Sequence, residues 1–422
     1  MTASLPRILT LMGSGETAPT MVKVHRDVIG RLGSAASAAL LDTPYGFQEN
    51  APELAQKAVQ YFAESIVTEL AVAGLTRIQG ADPVAMERGF NLLRTSTYIF
   101  AGPGSPTYAL RQWTGSPLSS VLIDKLRTGG AVTFASAAAL TLGRVTVPVY
   151  EIYKAGEEPR WLDGLDVLGA VGIHAALIPH YDNAEGGHHD TRFCYLGERR
   201  LRILEAQLPP DHHVIGIDEH TAVVLDLDAD TATVVGRGVL SIRMGGVTTT
   251  HASGTTLSLD ALRSPNQSNT ASAGAPVAAE PIANAIANAV AKEADSLGAM
   301  TAALGERFSA ALSTGDSDAA VRAALELEAT IHAWSADTLE SREADEARAM
   351  LRSMVSRLGE AATQGLADPR LRVGPFIETL LALRGEVRKD KRYDLSDLIR
   401  DRLSESGVEV RDTPDGPEWL LL

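Results

Sequence analysis

The sequence predicts an α/β fold over residues 1–263, with a mainly parallel sheet flanked by helices. The first observation is a series of short apolar runs that each end in glycine or a polar residue, as strands do. These runs lie at 7–12, 38–43, 96–102, 131–136, 174–180 and 213–219. The second is that helical patterns, such as 52–74 and 116–130, separate several of them. Strands that alternate with helices favour a parallel sheet covered on both faces, with functional groups at the strand ends.

The sequence after the last of these runs predicts further elements. Residues 221–244 are strand-rich, and their DAD and GRG turns predict hairpins. Residues 264–281 consist mostly of Ser, Ala, Asn, Pro and Gly with no charge before Glu280, which is typical of a linker. We expect an α-helical C-terminal domain of three or four helices at 282–364, and a short charged module at 373–422. Because 422 residues is long for one core, more than one domain is expected.

Charge and cysteine content limit the classes of function. The net charge of −15 argues against non-specific attraction to nucleic acid or to an anionic membrane. The single cysteine, Cys194, excludes an intramolecular disulfide framework and a cysteine-rich zinc site. We interpret it as a half-buried structural thiol rather than a second nucleophile. The first apolar run is too short for a signal peptide, and no run is long enough to span a membrane, so a cytoplasmic protein is expected.

The stretch 129–143, GGAVTFASAAALTLG, is the most informative part of the sequence. An apolar strand runs into Ser136, which alanines flank, and a small-residue helix follows at once. A nucleophile elbow needs this arrangement, because the serine takes a strained turn and small neighbours leave room for it. The alternative is a buried strand–helix junction without chemistry.

A serine nucleophile needs a base, and seven of the ten histidines lie between His174 and His220. His180 follows a predicted strand, where a base facing the serine is expected. His188 and His189 lie in a glycine-rich loop and are expected to be solvated. A metal site formed by His180, Asp182, His188 and Asp190 is an alternative, since His and carboxylate suit zinc or manganese. The spacing of these residues fits no known motif, so no metal is predicted.

The remaining parts of a hydrolytic site are an acid and an oxyanion hole. Glu219 and Glu151 each follow an apolar run, and either would orient the histidine. The stretch 101–108 provides a glycine turn after a strand, which predicts the Gly104 N–H as one oxyanion donor and the Ala137 N–H as the second. Pro103 has no N–H to donate.

Four segments in this order resemble the serine peptidase family of dipeptidase E and cyanophycinase, which belongs to the class I glutamine amidotransferase-like superfamily. The segments are the turn 102–105, the elbow 134–139, the run 179–188 followed by 197–201, and the GIDEHTA segment at 216–222. The resemblance covers about 240 residues. It implies a flavodoxin-like sandwich in which Ser136 is the nucleophile and His180 the general base. The acid is implied at Glu151, fifteen residues beyond the serine, or at Glu219.

The elbow departs from the family pattern, which reads G-x-S-A-G-A. Phe134 and Ala138 replace the two glycines around Ser136. A bulky side chain two residues before the nucleophile is expected to crowd the turn and to alter or abolish hydrolysis.

The end of the chain resembles the C-terminal end of cysteinyl-tRNA synthetase. The resemblance is carried by 382–421, through the SDLIR, GV and DTPDGPEW segments. It implies a tRNA partner. The basic cluster RGEVRKDKR at 384–392 supplies the candidate RNA contacts, which are Arg388, Lys389, Lys391 and Arg392. A packing or oligomerisation module is the alternative, since the module is nearly neutral and a charge run is usually a solvated helix face.

Two hypotheses follow. The first is a serine hydrolase of the dipeptidase E or cyanophycinase type that acts on a small peptide or amide and needs no cofactor. The second is a non-catalytic sensor or tRNA-associated protein that uses the same pocket for a ligand and the C-terminal module for tRNA or a protein partner. Amidotransferase chemistry with ammonia delivery is disfavoured, because the nucleophile position is Ser rather than Cys. The oligomeric state is not predicted.

Overall fold

A computed structural model describes residues 4–184, 189–265, 296–334, 343–364, 369–413 and 416–421. Most of the predicted linker, from 266 to 281, and the candidate loop histidine His188 lie outside these residues.

The strands are β1 Arg7–Met12, β2 Ala38–Leu40, β3 Leu70–Val72, β4 Tyr98–Ala101, β5 Gly130–Ala135, β6 Val145–Thr146, β7 Leu162–Asp163, β8 Ala175–Ile178, β9 His213–Ile217, β10 Thr221–Asp226, β11 Thr231–Gly236, β12 Val239–Met244, β13 Val247–Ala252, β14 Thr256–Ser258, β15 Val408–Thr413 and β16 Gly416–Leu421.

The α-helices are α1 Val22–Arg31, α2 Ala51–Tyr61, α3 Pro83–Thr95, α4 Pro106–Trp113, α5 Leu118–Thr128, α6 Ser136–Leu140, α7 Val149–Tyr153, α8 Val167–Ala170, α9 Gly197–Glu205, α10 Asp260–Arg263, α11 Leu297–Ser313, α12 Ser317–Ala333, α13 Glu343–Gln364, α14 Pro369–Lys389 and α15 Tyr393–Glu405.

The main sheet has eight strands in the order β14-β11-β10-β1-β5-β4-β2-β3. The half from β1 to β3 is parallel, and β10, β11 and β14 extend it antiparallel beyond β1. Helices flank this sheet, and a helical region follows it, which confirms the predicted fold class. The six apolar runs correspond to β1, β2, β4, β5, β8 and β9.

A second sheet, in the order β13-β12-β9-β8, carries the other strand ends that matter for the site. Strands β8 and β9 are parallel, and β12 pairs antiparallel with β9. The prediction of a hairpin at the GRG turn is therefore wrong, because β11 stays in the main sheet while β12 crosses to the second. The crossing segment passes close to Asp218, since a Cβ on Gly238 would lie 2.4 Å from the Asp218 Cβ. Only the DAD turn closes a hairpin as predicted, between β10 and β11.

The helix predicted at 52–74 is also partly wrong. It ends as α2 at Tyr61 and continues as one π-helical turn over Phe62–Ile66. Val67 then adopts a left-handed backbone with φ 62°, and β3 pairs in parallel with the edge of β2. The sheet gains a strand where helical periodicity alone suggests one continuous helix.

Alternation along β5 divides the core into two layers. Ala131 and Ala135 face one layer, whereas Val132 and Phe134 face the other, and all four are fully buried. The ring of Phe134 packs 6.2 Å from that of Trp113. The expected crowding of the elbow by Phe134 is therefore wrong, because its side chain points into the core rather than into the turn.

The contacts within the chain divide it into two units. The first comprises Met1–Ala299 and Thr330–Ala344, and the second comprises Met300–Ala329 and Asp345–Leu422. No helix among the described residues is both long and apolar enough to cross a membrane.

At the C-terminal end of the second unit, α14 and α15 pack with the β15–β16 hairpin around a small apolar cluster of Ile377, Leu381, Leu403 and Val408. Arg384 is 3% exposed and binds Asp412 through two hydrogen bonds of 2.6 and 2.9 Å. This bidentate pair joins α14 to β15.

Candidate active site

Ser136 stands at a sharp turn between β5 and α6. Its φ is 49°, a left-handed value that costs a non-glycine residue on the order of 1–2 kcal/mol. The turn is held because β5 is paired on both sides and because the Ala138 N–H donates to the Gly102 carbonyl at 3.1 Å. The small side chains of α6 are buried against the sheet, so the serine is presented at the strand end.

His180 comes two residues after the end of β8 and faces this serine. The distance from Ser136 Oγ to His180 Nε2 is 2.9 Å. His180 also has a positive φ, 47°, and its carbonyl accepts a hydrogen bond from the Cys194 N–H. The next residue, Tyr181, donates its N–H to Ile217 at the end of β9. The two parallel strands thus fix the imidazole.

Glu219 lies on the other side of this imidazole. Its Oε1 is 2.9 Å from His180 Nδ1, so Nδ1–H donates to the carboxylate and Nε2 is left to accept from the serine hydroxyl. The Glu219 N–H donates to Asp182 Oδ1 at 2.8 Å. Burial raises the pKa of Glu219, but the hydrogen bond from His180 and nearby positive charge outweigh it and hold the pKa below its usual range. Glu219 is therefore ionised and lies where it can hold the orientation of the imidazole.

Glu151, the other candidate acid, has a different partner. It lies in α7, and its Oε2 accepts a hydrogen bond from the Thr107 hydroxyl of α4 at 2.9 Å. No hydrogen bond or ion pair joins it to His180, although both residues lie in the described part of the chain. The glutamate that lies fifteen residues beyond Ser136 therefore forms a contact between α7 and α4.

The two predicted oxyanion donors lie near the serine. Gly104 lines the same cleft as Ser136, and its N–H has no hydrogen-bond partner among the described residues. Its φ is 136°, and an added Cβ would lie 2.1 Å from the Pro44 carbonyl oxygen, so only glycine fits. The Ala137 N–H belongs to the first turn of α6 and has no carbonyl one turn before it within that helix.

A cleft of about 680 Å³ opens above these groups. Part of its wall is aromatic, formed by Tyr45, Phe47, Tyr150, Tyr153 and Tyr195. The rings of Tyr153 and Tyr195 stack with centroids 5.0 Å apart, and Lys154 Nζ lies 5.2 Å from the centre of the Tyr150 ring. A cleft of this size holds a small molecule or a short peptide.

Glu16 also lines the cleft, and sequence reasoning did not select it. It follows β1 in the segment GSGE, so the rule that polar residues at strand ends mark a site would have found it.

Several other predicted residues lie elsewhere or have other partners. Cys194 is buried, and burial raises the pKa of its thiol to about 12, which excludes a thiolate at neutral pH. His189 lies beside Tyr153, with ring centroids 6.4 Å apart. Asp190 forms an ion pair with Arg192. Within the ranges that the structure describes, no group of three His, Cys, Asp or Glu residues is arranged to hold a metal ion.

The candidate RNA contacts lie in the second unit. Arg388 binds Asp412 at 3.1 Å, and Arg392 lies 3.5 Å from Asp394. Lys389 ends α14, and Lys391 follows it with a positive φ of 59°.

The chain was compared with solved structures and with curated sequences. The solved structures that this chain resembles include a peptidase from an acI-B1 Actinobacterium, with a TM-score of 0.49 and 22% sequence identity. The match covers 60% of this chain and 98% of that one. A peptidase E-like protein from Listeria monocytogenes EGD-e gives a TM-score of 0.33 and 13% identity over 58% and 98%. The fold assignment rests on the strand order described above.

A short segment matches cysteine–tRNA ligases, which confirms the resemblance noted at the end of the chain. The ligase of Carboxydothermus hydrogenoformans is 45% identical over 47 residues, and that of Thermotoga maritima is 54% identical over 46. Each match covers 11% of this chain and 10% of the ligase, so the chain spans about a tenth of the curated relatives it matches. No protein-family model matches the chain.

Proposed function

We propose that this protein is a serine hydrolase that cleaves a small peptide or amide. The observation that carries the proposal is the relay in which His180 lies 2.9 Å from Ser136 Oγ on one side and 2.9 Å from Glu219 on the other. A nucleophile, a base within hydrogen-bond reach and a carboxylate that orients the base are what acyl transfer requires.

In the proposed reaction, Ser136 Oγ attacks the substrate carbonyl carbon while His180 Nε2 takes the hydroxyl proton. Glu219 stabilises the imidazolium that forms, and the N–H groups of Gly104 and Ala137 bind the oxyanion. The C–N bond then breaks as the imidazolium returns its proton to the departing amine. A water molecule, deprotonated by His180, hydrolyses the acyl-serine and regenerates the site.

The test is labelling of the purified full-length chain with a fluorophosphonate probe. We expect labelling of the wild type and none of Ser136→Ala, because the probe phosphonylates an activated serine. His180→Ala should label several orders of magnitude more slowly, since the base is lost. An unlabelled wild type would contradict the hydrolase proposal and favour the competing role of a ligand sensor with the same cleft.

A second function, binding of tRNA by the C-terminal module, is favoured by the 45–54% identity to cysteine–tRNA ligases. Arg388 is a poor probe of it, because it also binds the Asp412 carboxylate that holds buried Arg384. We therefore choose reversal of Lys389 and Lys391 to Glu, which we expect to weaken salt-dependent tRNA retention. Lys23→Glu, an exposed reversal in the first unit, is the matched control. Equal retention by both variants would remove the basic cluster from consideration.

A further inference from the structure

Glu16 is a buried carboxyl group that the proposed reaction does not use. It lies in the turn after β1, is 1% exposed, and lines the cleft that holds Ser136 and His180. Its Oε1 has no hydrogen-bond partner among the described residues. A buried carboxyl oxygen without a partner is costly, so its presence in the cleft that Ser136 also lines requires an explanation.

The backbone around Glu16 is fixed. Its carbonyl accepts a hydrogen bond of 2.7 Å from His25 Nε2. His25 is itself fully buried among the rings of Phe62, Tyr98 and Phe100. Gly102 leaves space beside the carboxyl group, because a Cβ there would lie 2.9 Å from Oε1. The side chain is therefore held in the cleft by its surroundings rather than left there by a flexible loop.

Few of the described residues around it are charged. Among the described residues that line the cleft, Glu16 is the one acidic side chain, and Lys154 and His180 are the basic ones. Burial raises the pKa of Glu16, whereas positive charge on His180 lowers it. A cation bound at Oε1 would act in the same direction as His180 and favour the ionised carboxylate.

A second unpartnered oxygen belongs to another residue that lines this cleft. Tyr45 is 3% exposed, and its hydroxyl has no hydrogen-bond partner in the described part of the chain. An ammonium group has three N–H donors and no acceptor, so it satisfies carboxylate and phenol oxygens together. The aromatic wall also favours a cation, through the negative faces of its rings.

We propose that Glu16 is a specificity-determining residue that binds a protonated amine of the substrate through Oε1, so that the substrate class is a small cationic peptide or amide. The inference rests on the proposed hydrolase function. The amine provides the missing partner of the buried carboxylate, and the hydrogen bond that forms is charge-assisted. The free amine thereby anchors the substrate in the cleft that contains Ser136.

The experiment compares amino-acid 4-nitroanilides with a free α-amine and their N-acetyl counterparts, which lack the charge. For the full-length wild type, kcat/KM should favour the free amine by about 10- to 100-fold, the value of a hydrogen bond to a charged group. Glu16→Gln keeps the size of the side chain and removes its charge. It should abolish this preference mainly by raising KM for the free amine, while fluorophosphonate labelling of Ser136 stays near the wild-type rate.

Lys154→Gln is the matched control, since it removes a charge from the same cleft and should keep the preference for the amine. A preference that survives Glu16→Gln, or that changes equally in both variants, would overturn the inference. If the wild type does not label, the hydrolase proposal fails separately. The same compounds are then compared by thermal shift: an amine that raises Tm in the wild type but not in Glu16→Gln upholds the inference, and equal shifts overturn it.

Discussion

The residues around the relay share an unusual backbone. Ser136, His180 and His220 all have φ between 47° and 51°. Phe193, Cys194 and Tyr195 form one left-handed turn, with φ of 61°, 55° and 64°. Each such residue costs on the order of 1–2 kcal/mol, and such strain persists only where the surrounding packing fixes it. Here the strain lies at strand ends and in the loop packed on His180, which is where the proposed reaction needs side chains held in fixed directions.

The roles of the two candidate glutamates can be separated by a matched pair of variants. Glu219→Gln should slow fluorophosphonate labelling by on the order of 10³–10⁴-fold, because an amide no longer stabilises the imidazolium or selects the tautomer. Glu151→Gln should label at close to the wild-type rate, since Glu151 contacts Thr107 rather than His180. Loss of labelling in Glu151→Gln with normal labelling in Glu219→Gln would reverse the assignment.

Gly104 provides a second prediction at this scale. Gly104→Ala should lower the free energy of unfolding, measured in urea, by at least about 2 kcal/mol. The reasons are the positive φ of residue 104 and the overlap of the new Cβ with the Pro44 carbonyl oxygen. Gly115→Ala is the control, since that glycine also has a positive φ, 76°, but open space around it. Gly115→Ala should lower the free energy of unfolding by about 1 kcal/mol. Equal costs would mean that Pro44 moves aside easily and that glycine is not required at 104.

The site could be predicted from sequence to the extent that each residue follows a strand. Ser136, His180 and Glu219 all do, and the topology brings them together. The directions in which side chains point could not be predicted in the same way. Whether Phe134 points into the turn depends on the alternation of β5 between two core layers, and whether Glu151 reaches the histidine depends on the path of α7.

At the scale of elements, strands that are buried on both faces were predictable because their apolar runs are continuous. Strand β3 was not, because its three residues follow a helix whose periodicity continues through the π-helical turn. The change of sheet between β11 and β12 was not predictable either. Both a hairpin and a crossing need glycines, and only the pairing partners of β12 distinguish them.

The pair between Arg384 and Asp412 should stabilise the C-terminal elements. Asp412→Asn leaves a buried guanidinium without its bidentate partner, and we expect a loss of about 1–3 kcal/mol, a range reduced because Asp412 is 46% exposed. Asp394→Asn, at an exposed pair with Arg392, should cost less than about 0.5 kcal/mol. Hydrogen exchange of α15 in the full-length chain measures both. Equal protection in the two variants would show that the apolar cluster alone holds these elements.

At the scale of the whole molecule, buried groups with opposite responses to acid share one pH range. Burial lowers the pKa values of His25, His213 and His220 to about 4, so their protonation favours the unfolded chain as pH falls from about 6.5. Burial raises the pKa values of Glu16 and Asp218, the latter to about 6, so their protonation favours the folded chain. The effects of the histidines and of the two carboxyl groups on stability therefore offset one another. Unfolding of the wild type at several pH values does not separate these effects.

A variant at His213 separates them. Its ring is buried with neither nitrogen hydrogen-bonded among the described residues, and nearby positive charge on His212 and His174 adds to the effect of burial on its pKa. His213→Leu should therefore be more stable than the wild type at pH 8, where only the unpartnered ring matters. The difference should grow by up to about 1.4 kcal/mol per pH unit between pH 6.5 and 4, because the unfolded wild-type chain alone gains the proton there. Urea unfolding at several pH values measures this difference. A constant difference across that range would mean that His213 takes up its proton without unfolding, which would require the strand ends of β8 and β9 to admit water.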